Sequence, residues 1–295
     1  MTIEREEMEH ARFECHGHVL MDGDDFTAAR DRHHSGVDDA HVRQVLSALR
    51  EKNVVYFRDG GDALGVSLRA RKLAGEYGIE LRSPAFAIHK KGRYGSIVGR
   101  SWQDLTEYRE RIRQARDSGA DFIKLMFSGI LTFQSWGELS CPSLTEEEIR
   151  ELIHVAHGEG FAVMAHVNGA EAIRAAAEAG VDSVEHGYFA DRTALDAMAK
   201  AGTIWVPTLA AVAAFDGRKG FAAPVVEETM SRQLEAIRLG VSLGVPIAPG
   251  SDSGAVGVPH GEGIKTEYAL LARAGLTEDA LCRNAGLLAR RFRRG

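Results

Sequence analysis

Two histidines one residue apart, His16 and His18, lie in the run Phe13-Glu14-Cys15-His16-Gly17-His18-Val19. On a β-strand this spacing puts both imidazoles on one face, where they can form half of a metal site. Such a pair alone is weak evidence, so the remaining ligands must come from elsewhere in the chain. Four other apolar runs supply candidates: Lys124 in residues 121–127, His166 closing 161–166, His186 closing 181–186 and Asp252 closing 245–252. Taken singly, each histidine could be a satisfied core residue and Asp252 could close a turn. Four histidines and an aspartate at separate strand ends are hard to explain as packing. Imidazole and carboxylate together are the ligand set of zinc or a similar divalent ion.

Lys124 is the odd member. Within Phe-Ile-Lys-Leu-Met-Phe it has apolar neighbours on both sides. An unpaired buried ammonium is costly, and burial lowers its pKa. A neutral amine beside bound cations can react with carbon dioxide to give a carbamate, an anionic ligand able to bridge two ions. The simpler alternative is an ion pair with a buried carboxylate such as Asp252 or Asp59. The surrounding ligand set favours the carbamate.

Elements must deliver these side chains to one place. Strand-like and helix-like runs alternate through the chain. The predicted strands are 13–19, 53–57, 79–88 (interrupted by Pro84), 121–127, 161–166, 181–186, 203–208 and 245–252. The predicted helices are 38–52, 64–77, 105–118, 145–157 opened by a Thr145-to-Glu148 capping box, 170–179, 193–201 and 225–243, with closing helices at 263–274 and 277–291. Residues 21–37 are too polar and irregular for a regular element. Eight strand-helix units predict an α/β fold, a parallel (β/α)8 TIM barrel spanning residues 1–295 as one domain. A doubly wound open sheet is disfavoured because no glycine-rich phosphate loop follows the first strand.

Composition narrows the partners. With 36 basic and 42 acidic side chains the formal charge is −6, which gives no electrostatic case for nucleic acid or an anionic membrane. The Arg-rich end (Arg290, Arg291, Arg293, Arg294) reads as a solvated helix terminus. Cys15, Cys141 and Cys282 are distant and odd in number, arguing against a disulfide framework and for a reducing compartment. The acidic N-terminus lacks an apolar signal segment, and no run has the length of a membrane span, so a cytoplasmic protein is expected.

The motifs His16-Gly17-His18, Phe-Ile-Lys124-Leu-Met-Phe-Ser-Gly, Met-Ala-His166-Val-Asn-Gly, Ser-Val-Glu-His186-Gly and Pro-Gly-Ser-Asp252-Ser-Gly together resemble the amidohydrolase superfamily. The resemblance is to its binuclear branch with a carboxylated lysine, which includes Xaa-Pro and Xaa-Arg/Lys dipeptidases, ochratoxinase-like and imidazolonepropionase-related enzymes. It implies a metallo-dependent hydrolase barrel with two divalent ions, zinc the first expectation. His16, His18 and Asp252 would hold one ion, His166 and His186 the other, with carboxylated Lys124 bridging and Asp252 carrying the proton. The accessory β-sandwich common in this superfamily is expected to be missing, since only 15 residues precede His16. The expected reaction is hydrolysis of an amide-type C–N bond in a dipeptide, N-acyl amino acid or cyclic amide by a metal-bridging hydroxide. The alternatives on the same barrel are a mononuclear deaminase and an ester or lactone hydrolase. Lys124 and the poor spacing of Glu171 from His166 argue against the deaminase.

Specificity is expected in the loops after the strands. His89, Arg93 and Tyr94, with Lys90 and Lys91, concentrate donors after the third strand and suggest recognition of a substrate carboxylate. Tyr188 is expected at the barrel mouth, with Asn168 and His260 as further pocket candidates. Phe133 and Trp136 suggest an apolar pocket, a lid or a subunit contact in a homo-oligomer. His33, His34, His154 and His157 are expected on the surface.

Overall fold

A computed structural model describes residues 11–293. Residues 1–10, which carry the acidic N-terminus, and Arg294 of the Arg-rich end lie outside them. Nine strands form two parallel sheets. The first holds β1 (Arg12–Gly17), β2 (Val54–Asp59) and β3 (Glu80–Arg82). The second runs in the spatial order β5 (Gly99–Trp102), β4 (Ala87–Lys90), β6 (Ile123–Met126), β7 (Val163–Val167), β8 (Ser183–His186) and β9 (Ile204–Val206).

Two seams join the sheets into a TIM-barrel-type (β/α)8 arrangement. At one, residues 245–253 lie between β9 and β1. Ala248 N donates to Trp205 O at 2.9 Å, Cys15 N to Pro249 O at 2.9 Å and Asp252 N to His16 O at 2.8 Å. This is the expected eighth strand, yet it pairs only through isolated bridges, Trp205 with Ile247 and Gly17 with Ser253. Pro246 and Pro249 lack the N–H groups that a continuous ladder needs. At the other seam the expected third strand is split. Pro84 and Ala85, the latter at φ +65°, separate β3 from β4, and Asp62 N donates to Ala85 O at 3.0 Å.

Around the barrel stand eleven helices among the described residues: α1 (Phe26–Asp31), α2 (Asp39–Glu51), α3 (Val66–Ala74), α4 (Leu105–Asp117), α5 (Glu146–Gly158), α6 (Ala170–Glu178), α7 (Arg192–Ala201), α8 (Leu209–Ala213), α9 (Ala223–Leu243), α10 (Glu262–Arg273) and α11 (Glu278–Arg291). None is long and apolar enough to cross a membrane. The capping box before α5 forms as read, with Thr145 and Glu148 each bonding the other's backbone. Three elements depart from the sequence reading. Residues 21–37 contain α1, because Asp25 accepts from Thr27 N and Ala28 N and so satisfies the orphan donors of a short helix. The strand β5 and the five-residue α8 were not anticipated; both are too short to show periodicity.

Period-two alternation decides which side chains enter the barrel. On β6, Ile123 and Leu125 join the core beneath the helices, while Lys124 shares the inward face with Phe122. The same parity turns Tyr56 and Arg58 inward on β2, Met164 and His166 on β7, and Ser183 and Glu185 on β8. Phe122, Tyr56, Met164 and Ile204 pack with Ala285, Leu288 and Phe292, so α11 and the residue after it close the barrel floor.

Candidate metal centre and cavity

The six sequence-derived ligand candidates converge. His16, His18, Lys124, His166, His186 and Asp252 all line one cavity of about 280 Å³. Ligand atoms of His16, His18 and Asp252 lie within 4.8 Å of one another. Asp252 Oδ1 is 3.6 Å from His16 Nε2 and 3.4 Å from His18 Nε2. The imidazoles are contiguous: ring centres are 5.5 Å apart for His16 and His18, 4.9 Å for His16 and His186, and 4.5 Å for His166 and His186. Close approach of backbone makes this possible. A Cβ on Gly60 would lie 2.2 Å from His18 Cε1, and one on Gly17 would lie 2.5 Å from Ser253 Oγ. The glycine between the two histidines therefore lets β1 and the 245–253 segment meet.

Partners outside the cavity fix which ring nitrogen is free. His16 Nδ1–H donates to Glu185 Oε2 at 2.7 Å, which turns the Nε2 lone pair toward Asp252. His186 Nδ1 bonds Thr208 Oγ1 at 2.7 Å, again leaving Nε2. In His166 the roles reverse: Nε2–H donates to Gly129 O at 3.1 Å, and Nδ1 remains. Glu185 is held in turn by Arg58, whose Nη2 donates to Oε1 at 2.8 Å; both side chains are fully buried. Arg58 also donates to Cys15 O and Ser183 Oγ and lies 4.3 Å over the Phe292 ring. His186, Thr208 and Asp252 occupy the left-handed backbone region at φ +66°, +51° and +61°. For non-glycine residues this is sparsely populated, and such strain at three successive strand ends marks a site.

Electrostatics separate ligands from structural groups. Burial, helped by the Lys124 charge, lowers His16 to about 4 and His166 to about 3, so both imidazoles are neutral at pH 7. Burial lowers His186 well below its ordinary value too. Burial would raise Asp252, but the His18, His16 and His186 imidazoles beside it hold it well below the usual carboxylate range. Glu185 reaches about 2, because the Arg58 charge and the His16 bond outweigh its burial. Burial lowers Lys124 to about 8. Its Nζ is buried and has no hydrogen-bond partner among the described residues, so no ion pair with Asp252 or Asp59 forms. Asp59 instead accepts from Val19 N and Gly61 N.

The other candidates divide. Tyr94 and Tyr188 line the cavity, as does Asn168. The Tyr188 hydroxyl is committed to Thr208 O at 2.9 Å, and Asn168 bonds Gly129 O and Tyr188 N. The Tyr94 ring lies 5.0 Å from that of His166, tilted by 42°, and its hydroxyl has no partner among the described residues. His89 and Arg93 do not line the cavity. His89 is buried with Nδ1 3.1 Å from Lys90 O, and Lys90 is ion-paired with Glu148. The structure thus turns lysines of that loop elsewhere: Lys90 reaches Glu148 and the Trp102 ring, and Lys91 reaches Gln103. His260 also stays outside, its Nε2 3.1 Å from His18 O. Phe133 lines the cavity against Phe215 and Phe221, while Trp136 stacks outside it on Phe189 beneath Arg232.

One expectation is corrected at His33, which is buried rather than on the surface. Its Nδ1 accepts from Asp38 N at 3.0 Å, and its ring packs 5.3 Å from His41. Glu185, Arg58 and Thr208 were missed in the sequence. The available signal for Arg58 and Glu185 is the one that singled out Lys124: a charge at inward parity in an apolar strand.

The sequence profile described as "Amidohydrolase family" matches residues 42–284. An uncharacterised protein of Mycobacterium bovis is 28% identical over 181 residues, covering 59% of this chain and 48% of its own. The ochratoxinase of Aspergillus niger is 27% identical over 194 residues, covering 63% and 38%. The chain thus spans about half or less of the length of these curated relatives. Among solved structures, a Xaa-Pro dipeptidase with bound methionine superimposes with a TM-score of 0.76 at 24% identity, over 95% of this chain and 75% of that one. The A. niger ochratoxinase gives 0.75 at 22%, over 94% and 70%. At these identities the structural likeness speaks for the fold. The profile match covers most of the sequence, and the chain belongs to the amidohydrolase family.

Proposed function

We propose that this chain is a binuclear metal-dependent hydrolase of amide-type C–N bonds, with Lys124 carboxylated between the two ions. One observation carries the reading: a buried amine without a partner stands in a cavity lined by four histidines and one carboxylate. An amine at about 8 is partly neutral near physiological pH and can add carbon dioxide, losing a proton to become a carbamate. The donor set fits divalent ions, since the His16 and His166 imidazoles are neutral and Asp252 Oδ1 has no hydrogen-bond partner among the described residues. His16, His18 and Asp252 would hold one ion and His166 and His186 the other, with the Lys124 carbamate shared. Such ions, zinc first among the candidates, supply Lewis acidity toward a carbonyl and acidify an attacking water.

The chain's own residues do the rest. Glu185 and Thr208 hold the His16 and His186 tautomers, so each imidazole keeps its Nε2 lone pair toward the cavity. Asp252 is ionised, so its carboxylate accepts the proton of the attacking water and passes it to the leaving nitrogen. The products are a carboxylic acid and an amine.

The test is metal analysis combined with carbon-13 NMR of protein equilibrated with labelled bicarbonate. About two ions per chain and a carbamate signal lost in Lys124→Ala are expected. One ion at full occupancy beside an unmodified Lys124 would sink the binuclear reading.

A further inference from the structure

Of the expected carboxylate-binding residues His89, Arg93 and Tyr94, only Tyr94 lines the cavity, and the rest of its wall has a definite chemistry. Beyond the histidines the wall is built from apolar side chains, among them Phe26, Met126, Ile130, Phe133, Val212 and Phe215. Among the described residues no arginine lines the cavity, and its one lysine is Lys124 at the base. The polar side chains above the base are Tyr94, Asn168 and Tyr188, all uncharged, and the last two are spent on protein partners. Apolar character continues to the rim, where Phe26 is 40% and Ile130 is 41% exposed. Solvent-exposed large apolar side chains at a cavity mouth are what an apolar ligand would cover.

We infer that this cavity selects amides that are small, apolar and uncharged around the scissile bond, and discriminates against dipeptides and N-acyl amino acids with a free carboxylate. The inference rests on the hydrolase reading above. A carboxylate entering this wall would lose its hydration and meet no guanidinium or ammonium to replace it, whereas a neutral group loses little. The Tyr94 hydroxyl offers one neutral donor, enough for a carbonyl or an ether oxygen. At about 280 Å³ the space is at the low end of ligand pockets, which run from roughly 300 to 1,000 Å³. It suits a single acyl group and a compact amine rather than an extended peptide.

The experiment compares N-acetyl-phenylalanine with N-acetyl-phenylalaninamide, which differ only in the carboxylate. With metal-loaded protein, release of the amine component is expected to have kcat/KM about 100-fold higher for the neutral member. Calorimetric binding of both probes to the metal-loaded wild type and to Lys124→Ala provides a readout independent of turnover. There the neutral probe is expected to bind at least about tenfold tighter. Equal or preferential use of the acid overturns the selectivity while leaving amide hydrolysis intact. Tighter binding of the neutral probe without any turnover upholds the selectivity and tells against amide hydrolysis. Failure of both probes to bind overturns the selectivity outright. Ile130→Arg puts a cation on an exposed rim position that can carry it. It is expected to narrow the kcat/KM gap by about tenfold, and an unchanged gap with a folded variant counts against the rim's role.

Discussion

The base and the rim of the cavity are built on opposite principles. At the base, every side chain but the partly buried Asp252 is buried, and a hydrogen-bonded chain runs from Arg58 to Glu185 to His16. At the rim, the side chains of Phe26, Ile130, Phe133 and Phe215 are apolar, and all but Phe133 are partly open to solvent. Burying charge is expensive unless each charge is compensated, so a buried polar base tolerates few substitutions. Apolar contact is non-directional and replaceable, so a rim can vary without unfolding the barrel. The base should therefore govern metal retention and rate, and the rim should govern which substrate is held.

The largest break comes at Lys124. Lys124→Ala is expected to lower kcat by on the order of 1,000-fold or more and to reduce metal content, with partial rescue by a short-chain carboxylate. Retention of activity and metal would remove Lys124 from the base machinery. Next is Glu185→Gln, which leaves the Arg58 guanidinium buried without its counter-charge. Stability should fall by about 3–5 kcal/mol in denaturant titration. Metal affinity should fall about 10–100-fold through the loosened His16.

A pH measurement isolates Lys124 in metal-free protein. Its pKa is about 8 in the fold against an ordinary 10.5, so between these values the unfolded chain binds more protons. Stability therefore rises with pH across that window, by about 3 kcal/mol in all, and is lower by that full amount below pH 8. Lys124→Met should lack this component of the slope; identical slopes would show that the amine is not depressed. The smallest effect is expected at the rim. Phe215→Ala should raise KM about tenfold for an apolar amide with metal content unchanged, because it removes contact area only. A loss of bound metal in that variant would erase the distinction between base and rim.

Legibility followed the same division. His16, His18, Lys124, His166, His186 and Asp252 were readable because each is a chemically conspicuous residue in or just beyond an apolar strand, and strand parity sends such residues to one face. The same rule would have found Arg58 and Glu185, since Val-Val-Tyr-Phe-Arg and Ser-Val-Glu-His repeat the pattern. Thr208 and His33 were not readable: one acts through a left-handed backbone just beyond β9, the other is buried beside His41 and bonded to Asp38 N. The His89-to-Tyr94 loop misled because a run of cations shows charge but not direction. Only Tyr94 reaches the cavity, while Lys90 turns to Glu148 on another element.

By itself the chain determined the alternation of strands and helices and the inward residues of the base, because period two and helical period are local properties of the backbone. Which ring nitrogen each histidine leaves free, which loop faces the substrate and whether Lys124 finds a counter-ion were decided only by tertiary structure. Those outcomes depend on contacts such as His16 with Glu185, 169 residues apart, whose partners no local pattern names.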